Sequence, residues 1–147
     1  VYTPIPSVQL VFSYAWMWQA EVLDNEQAPE QVGNRLANAP EHSGSIWAKY
    51  SFTEGRLEGL SFGFGARYKD RVWLKVQPDR NTYQAPSFLV YDALVEYRMQ
   101  IRGIDTRFAL NVTNLFDSEY IGSASSAQTG AIPGDVRKAY FSVGFAY

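Results

Sequence analysis

The last twelve residues, 136–147, alternate without a break. Ala139, Phe141, Val143, Phe145 and Tyr147 fall on one parity, and Tyr140, Ser142, Gly144 and Ala146 on the other. A strand sends successive side chains to opposite faces, so this segment has one greasy face and one small or polar face. Such a strand suits a transmembrane β-barrel, with apolar residues toward lipid and an aromatic at the membrane boundary. In a water-soluble protein the same strand would be an open edge inviting aggregation.

Five further segments obey the rule. Over 8–18 the apolar parity is Val8, Leu10, Phe12, Tyr14, Trp16 and Trp18; over 44–52 it is Ile46, Ala48, Tyr50 and Phe52. Over 60–69 it is Leu60, Phe62, Phe64, Ala66 and Tyr68; over 89–99 it is Leu89, Tyr91, Ala93, Val95, Tyr97 and Met99; over 106–112 it is Phe108, Leu110 and Val112. None repeats at the i, i+3, i+4, i+7 spacing of an amphipathic helix. The charged residues within these strands sit on the other parity. Lys49, Arg67, Lys69, Asp92, Glu96, Arg98, Arg107 and Asn111 are therefore expected to face a lumen, with Phe12, Tyr14, Phe62, Phe64, Tyr91, Val95, Phe141 and Phe145 facing lipid. A Lys or Arg at mid-bilayer on the lipid face costs about 2–4 kcal/mol, which explains the segregation.

The connections alternate in length. Those at 53–59 and 100–104 are short, and those at roughly 20–42, 70–86 and 117–135 are long and rich in Pro, Asn, Gln, Ser and Gly. Short turns at one end and long loops at the other is the outer-membrane barrel arrangement, with the long loops outside the cell. Aromatics bracket the apolar band: Tyr14, Trp16 and Trp18 toward the loops; Tyr50, Phe52, Tyr97, Phe145 and Tyr147 toward the turns. Periodicity alone also fits a soluble antiparallel sandwich, whose strands alternate too.

Composition narrows the classes. A net charge of -2 gives no reason to expect nucleic acid. There is no cysteine and only one histidine, His42, so neither a disulfide framework nor a transition-metal cluster is expected, and no catalytic constellation stands out. His42 reads as a hydrogen-bonding residue at a strand entrance. Gly63-Phe64-Gly65 alternates on a strand and reads as close packing on the lumen side, not as a phosphate loop. No apolar run approaches the roughly 20 residues of a membrane helix. The chain opens on Val1-Tyr2-Thr3-Pro4, without Met or a signal peptide, and is expected to be a piece of a longer protein.

Two stretches carry a family resemblance. Asn111-Val112-Thr113-Asn114-Leu115-Phe116-Asp117-Ser118-Glu119-Tyr120 resembles the NxxNLFDxxY box of TonB-dependent outer-membrane receptors, which lies on the penultimate strand ahead of a loop and the terminal aromatic strand. Gly33-Asn34-Arg35-Leu36-Ala37-Asn38-Ala39-Pro40-Glu41-His42-Ser43 resembles their GNxxxNxPxHS segment, which enters a strand from an outer loop; many siderophore receptors carry Pro where this chain has Ala37. The resemblance covers essentially all of residues 1–147 and implies the C-terminal strands, about six, of an all-β antiparallel barrel of the 22-strand type. It implies a bacterial outer-membrane receptor for a ferric siderophore, not an enzyme, energised through TonB. A plug domain and a TonB box, absent from this chain, would lie elsewhere in the receptor. The partners it implies are the other barrel strands, that plug, the TonB system, outer-membrane lipid and the ferric siderophore, with iron carried as the chelate and no cofactor bound by this chain itself. Ligand contacts are then expected from outer-loop residues: Arg71, Trp73, Lys75, Arg80, Tyr83 and Tyr120. The family's assembly machinery would read the aromatic terminus. A receptor for another scarce solute, such as cobalamin or a glycan, and a soluble β-sheet binding module remain the alternatives.

Overall fold

A computed structural model describes residues 1–76, 84–124 and 130–146. Among the described residues, eleven strands follow one another: β1 (Tyr2–Ile5), β2 (Val8–Trp16), β3 (His42–Ser51), β4 (Leu60–Lys69), β5 (Val72–Trp73), β6 (Gln84–Ala85), β7 (Phe88–Ile101), β8 (Ile104–Thr113), β9 (Ile121–Ala124), β10 (Ala131–Pro133) and β11 (Lys138–Ala146). Seven form one antiparallel sheet in the order β1-β2-β3-β4-β7-β8-β11, so each large strand pairs with its neighbours in sequence. The remaining four make two small pairs, β5 with β6 and β9 with β10, inside the long connections.

The six alternating segments all appear as strands. The seventh, β1, was not anticipated. It is four residues long and contains Pro4, which removes a ladder donor and confines such a strand to a sheet edge. Its register with β2 also shifts between Tyr2 and Ile5. In place of the expected 89–99, β7 runs to Ile101 and turns back through Arg102 and Gly103, both at positive φ (53° and 82°). Two such residues between the paired Ile101 and Ile104 make the twist-matched hairpin turn that pins register. Ser51 N–H donates to Ser7 O, and Arg98 N–H to Gly59 O, so the short connections at 6–7 and 53–59 are each tied to a neighbouring strand.

The two faces separate as the parity requires. Phe12 is 73% exposed, Phe64 48% and Phe141 68%. Their rings lie beside one another across strands, as Phe64 on Tyr91 at 5.6 Å and Phe108 on Phe141 at 6.5 Å, with no covering layer among the described residues. The soluble-sandwich alternative needs this face buried, and it is not. The buried side chains Val90, Leu94, Glu96, Ala109 and Ser61 lie on the polar parity; Thr106, near the turn end of β8, is the buried side chain of the sheet on the apolar parity among the described residues. There Trp47 lies across Gly63 and Gly65, and a Cβ built on either glycine would run into the indole. The close-packing reading of these glycines holds. The aromatics expected at the rims sit at the two strand ends, and Tyr147 lies outside the described residues.

The long connections all leave from the opposite end. The one between β2 and β3 folds back on itself: Val22 N–H donates to Asn34 O, Gly33 N–H to Val22 O and Leu36 N–H to Ala20 O. Asn38 N–H reaches Trp73 O in the next connection, joining the two.

The glycine contacts predict a graded outcome. Gly65→Ala and Gly63→Ala, by overpacking Trp47, should each lower unfolding free energy by about 1–3 kcal/mol. Gly144→Ala, whose added Cβ meets nothing within 4 Å, should be near neutral. Denaturant unfolding of the full-length receptor in lipid is the measurement.

Candidate functional site

The polar face is organised around two carboxylates. Glu96 on β7 pairs in register with Ser61 on one side and Ala109 on the other. Only 1% of it is exposed. Its Oε1 accepts from Lys49 Nζ at 2.8 Å and Arg98 Nε at 2.9 Å, and its Oε2 from Arg107 Nε. The short turn near 101–103 pairs residues whose numbers sum to about 203–205, which predicts Glu96 opposite or diagonal to Arg107; the diagonal pairing is present, with Arg98 directly opposite Arg107. Lys49 comes from two strands away, in the row that holds Gly63 and Leu94. A desolvated carboxylate is costly alone; three cations offset that cost and leave the cluster with a surplus positive charge.

Asp92 is the second carboxylate. Arg67 donates to it from Nε (2.8 Å) and Nη2 (3.2 Å), and Asn114 donates its backbone N–H at 3.0 Å. Asn114 is 1% exposed and sits at φ 49°, a left-handed conformation that Asn tolerates better than most residues. Its Nδ2 donates to Ser118 O and Asp135 O, both at 2.9 Å, and its Oδ1 accepts from Ser118 N–H. Asp117 Oδ1 accepts from Arg137 N–H at 2.8 Å. The 111–120 motif therefore fastens both ends of the connection between β8 and β11. Beside that clamp Lys138 donates to Asp135, and the hydrogen bond and charge hold the Asp135 carboxyl below the usual carboxylate range.

The 33–43 motif is likewise a loop scaffold. Arg35 donates from Nε to Ala39 O at 3.0 Å and from Nη2 to Met17 O. Buried Asn34 donates to Glu30 O. His42 opens β3, where its Nδ1 meets the Tyr14 hydroxyl at 2.8 Å and its ring stacks near Trp16, matching its reading as a strand-entrance hydrogen bonder.

The residues expected to contact ligand are dispersed. Arg71 is exposed, with its backbone N–H on Asp70 Oδ1. Trp73 lies half-buried in β5, and Lys75 half-buried just after it. Tyr120 is set into the structure: its ring lies 4.3 Å from that of Phe88 and presses on Gly134, where a Cβ would collide with it. Arg80 and Tyr83 lie outside the described residues. Asn111 is half-buried on the polar face, opposite Leu94 and Tyr140. Near the loops this face opens into a groove of about 550 Å³, bordered by Ser13, Asn38, Ser45, Arg67, Lys69 and Phe88. Lys69 Nζ donates to Gly122 O at 3.0 Å, and the Ser13 and Ser45 hydroxyls pair at 2.8 Å. Sequence reasoning named Arg67 and Lys69 only as wall residues; the strand-end motif at 111–120 was the signal that loop and wall meet here.

An uncovered apolar face, a polar face that holds the charges, and folded loops at one end define the wall of an outer-membrane β-barrel. Residues 2–115 match the family model described as TonB dependent receptor-like, beta-barrel. The chain belongs to that family, as part of its barrel. It is 36% identical over 118 residues to the ferrichrome outer membrane transporter/phage receptor of Escherichia coli K12, covering 80% of this chain and 15% of that protein. It is 34% identical over 122 residues to the ferrioxamine B receptor of Salmonella typhimurium SL1344, covering 82% of this chain and 16% of that one. The crystal structure of BauA, the ferric preacinetobactin receptor of Acinetobacter baumannii, shares the fold at a TM-score of 0.83 and 17% identity, over 97% of this chain and 20% of that one. The closed form of the ferric-catecholate import receptor Fiu from E. coli K12 aligns at a TM-score of 0.69 with 27% identity, over 95% of this chain and 19% of that one. The chain thus spans about a sixth of the length of the curated relatives it matches.

Removing one carboxylate should unbalance the wall. Glu96→Gln leaves Lys49, Arg98 and Arg107 facing each other without a countercharge and should cost about 2–3 kcal/mol of unfolding free energy in the full-length receptor. The deficit should shrink as salt screens the repulsion, which denaturant melts at low and high ionic strength would reveal.

The Asn114 clamp makes a second prediction. Asn114→Ala loses its side-chain bonds and adds left-handed backbone strain, together about 2–4 kcal/mol, and Asn114→Gly recovers about 1 of that. Limited proteolysis should then cut within 115–136 fastest in the Ala variant, slower in the Gly variant and slowest in the unmodified receptor.

Proposed function

We propose that this chain is the closing part of a receptor that takes up a ferric siderophore across the outer membrane, with import energised through TonB. The observation that carries the reading is a charged polar wall running up to a loop-roofed groove, in a chain whose relatives include receptors named for ferrichrome and ferrioxamine B. The wall and the long loops would surround the ligand. Arg71, Trp73 and Lys75 would meet it from the outer loops, with Arg80 and Tyr83 further along the same connection. Tyr120 would act by supporting Phe88 at the groove. The remaining strands, which pair with the free edges of β1 and β11, the plug and the TonB contact would come from the rest of the receptor.

A second reading is uptake of another metal chelate. It is favoured by the metal-pseudopaline receptor CntO of Pseudomonas aeruginosa UCBPP-PA14, 30% identical over 141 residues and aligned to 95% of this chain but 18% of that protein.

The test is transport by the full-length receptor in a bacterial strain stripped of its own siderophore receptors. Radioactive iron supplied as a ferric trihydroxamate or a ferric catecholate should enter with a functional TonB and should bind without entering when TonB is deleted. Binding of neither chelate, or entry independent of TonB, would overturn the proposal; uptake of cobalamin in its place would move the chain to the other solute class.

A further inference from the structure

The sheet register lays out two rows of side chains at the loop end of the polar face. Ser13, Ser45, Arg67 and Val90 stand in one row across β2, β3, β4 and β7; Ala15, Ser43, Lys69 and Phe88 stand in the next, toward the loops. Arg67 and Lys69 are two residues apart on one strand, so their Cα atoms are separated by about 7 Å on the same side of the sheet. Both border the 550 Å³ groove.

Each cation is already held, and each keeps donors in reserve. A guanidinium has five N–H groups, of which Asp92 takes two, with the Tyr120 hydroxyl also beside the Arg67 head; an ammonium has three, of which Gly122 O takes one. Asp92 balances the charge of Arg67. The partner of Lys69 is a neutral carbonyl, so the pair of cations with one carboxylate presents a net positive charge to the groove. Their existing bonds fix where the reserve donors point, which lowers the entropic cost of gripping an anion. The Glu96 cluster differs: its carboxylate is buried among its cations, away from the loops.

Building on the proposed uptake of a ferric chelate, we infer that Arg67 and Lys69 form a two-cation subsite for the carboxylate or catecholate oxygens of an anionic ferric chelate, with the Ser43 and Ser45 hydroxyls beside it. Occupancy is coupled to the outer loop between β8 and β11, because Lys69 is tied to Gly122 and Arg67 acts through Asp92 on Asn114. The receptor therefore discriminates chelates by charge.

The experiment measures equilibrium binding to the full-length receptor in outer-membrane vesicles, per assembled receptor molecule. The probes are ferric citrate, a ferric tris-catecholate and the uncharged ferric complex of a trihydroxamate. Arg67→Gln/Lys69→Gln should raise the Kd of the tighter-binding anionic chelate at least tenfold, remove most of its salt dependence and leave the Kd of the neutral complex within about twofold. The charge-conserving pair Arg67→Lys/Lys69→Arg should stay within about threefold of the unmodified receptor. If the double Gln variant fails to assemble, Lys69→Gln alone decides, with an expected weakening of about threefold or more for the anionic probe only. An unchanged Kd, an equal loss for neutral and anionic probes, or unmodified receptor that binds only the neutral complex overturns the subsite while the uptake reading stands. Unmodified receptor that binds none of the three overturns both.

Discussion

A strand in hydrocarbon can show lipid only apolar side chains, and its backbone groups must all find partners along the sheet. Everything else in this chain follows from that division. Because one parity is committed to lipid, each polar requirement is pressed onto the other: charge neutralisation at Glu96 and Asp92, the glycine tracks beneath Trp47, and the serine pairs Ser13–Ser45 and Ser51–Ser61. The polar face is thus where buried residues accumulate, even though it would be called the hydrophilic face on a sequence plot. Val90 and Leu94 lie there too, as apolar groups that fill space between the ion pairs without needing partners.

The two carboxylates divide the wall into zones of different character. Glu96, near the turns, gathers cations from β3, β7 and β8 and so ties β7 to β3 across the intervening β4, a link the ladder does not make. Asp92, nearer the loops, takes one side-chain cation and one backbone N–H from the start of a loop. The first zone is closed on itself. The second is joined to the loops, which is why chemistry directed at a ligand is better sought there.

Much of this could be read from the sequence, because parity, turn chemistry and motif position are local properties. The alternation of Phe62 and Phe64 against Gly63 and Gly65 specified both faces, and Arg102-Gly103 fixed a register close enough to place Glu96 beside Arg107. β1 escaped because Tyr2-Thr3-Pro4-Ile5 is too short to show a period and contains a strand-breaking residue. The contacts of Lys69 with Gly122, and of Asn38 with Trp73, escaped because they depend on how separate loops fold over one another, and no spacing along the chain encodes that. Of the proposed ligand contacts, Tyr120 illustrates the limit well: an aromatic in a loop looks the same in sequence whether it faces solvent or lies on a glycine.

The Asn114 clamp has an evolutionary corollary. One buried side chain holds Ser118 and Asp135, so the two ends of the intervening segment stay about the same distance apart whatever lies between them. Closing a longer loop costs only about 0.6 kcal/mol for each doubling of its length. The barrel wall is therefore insulated from insertions and sequence drift within that segment. An outer-membrane protein can thereby diversify this segment while its membrane-embedded architecture stays constant.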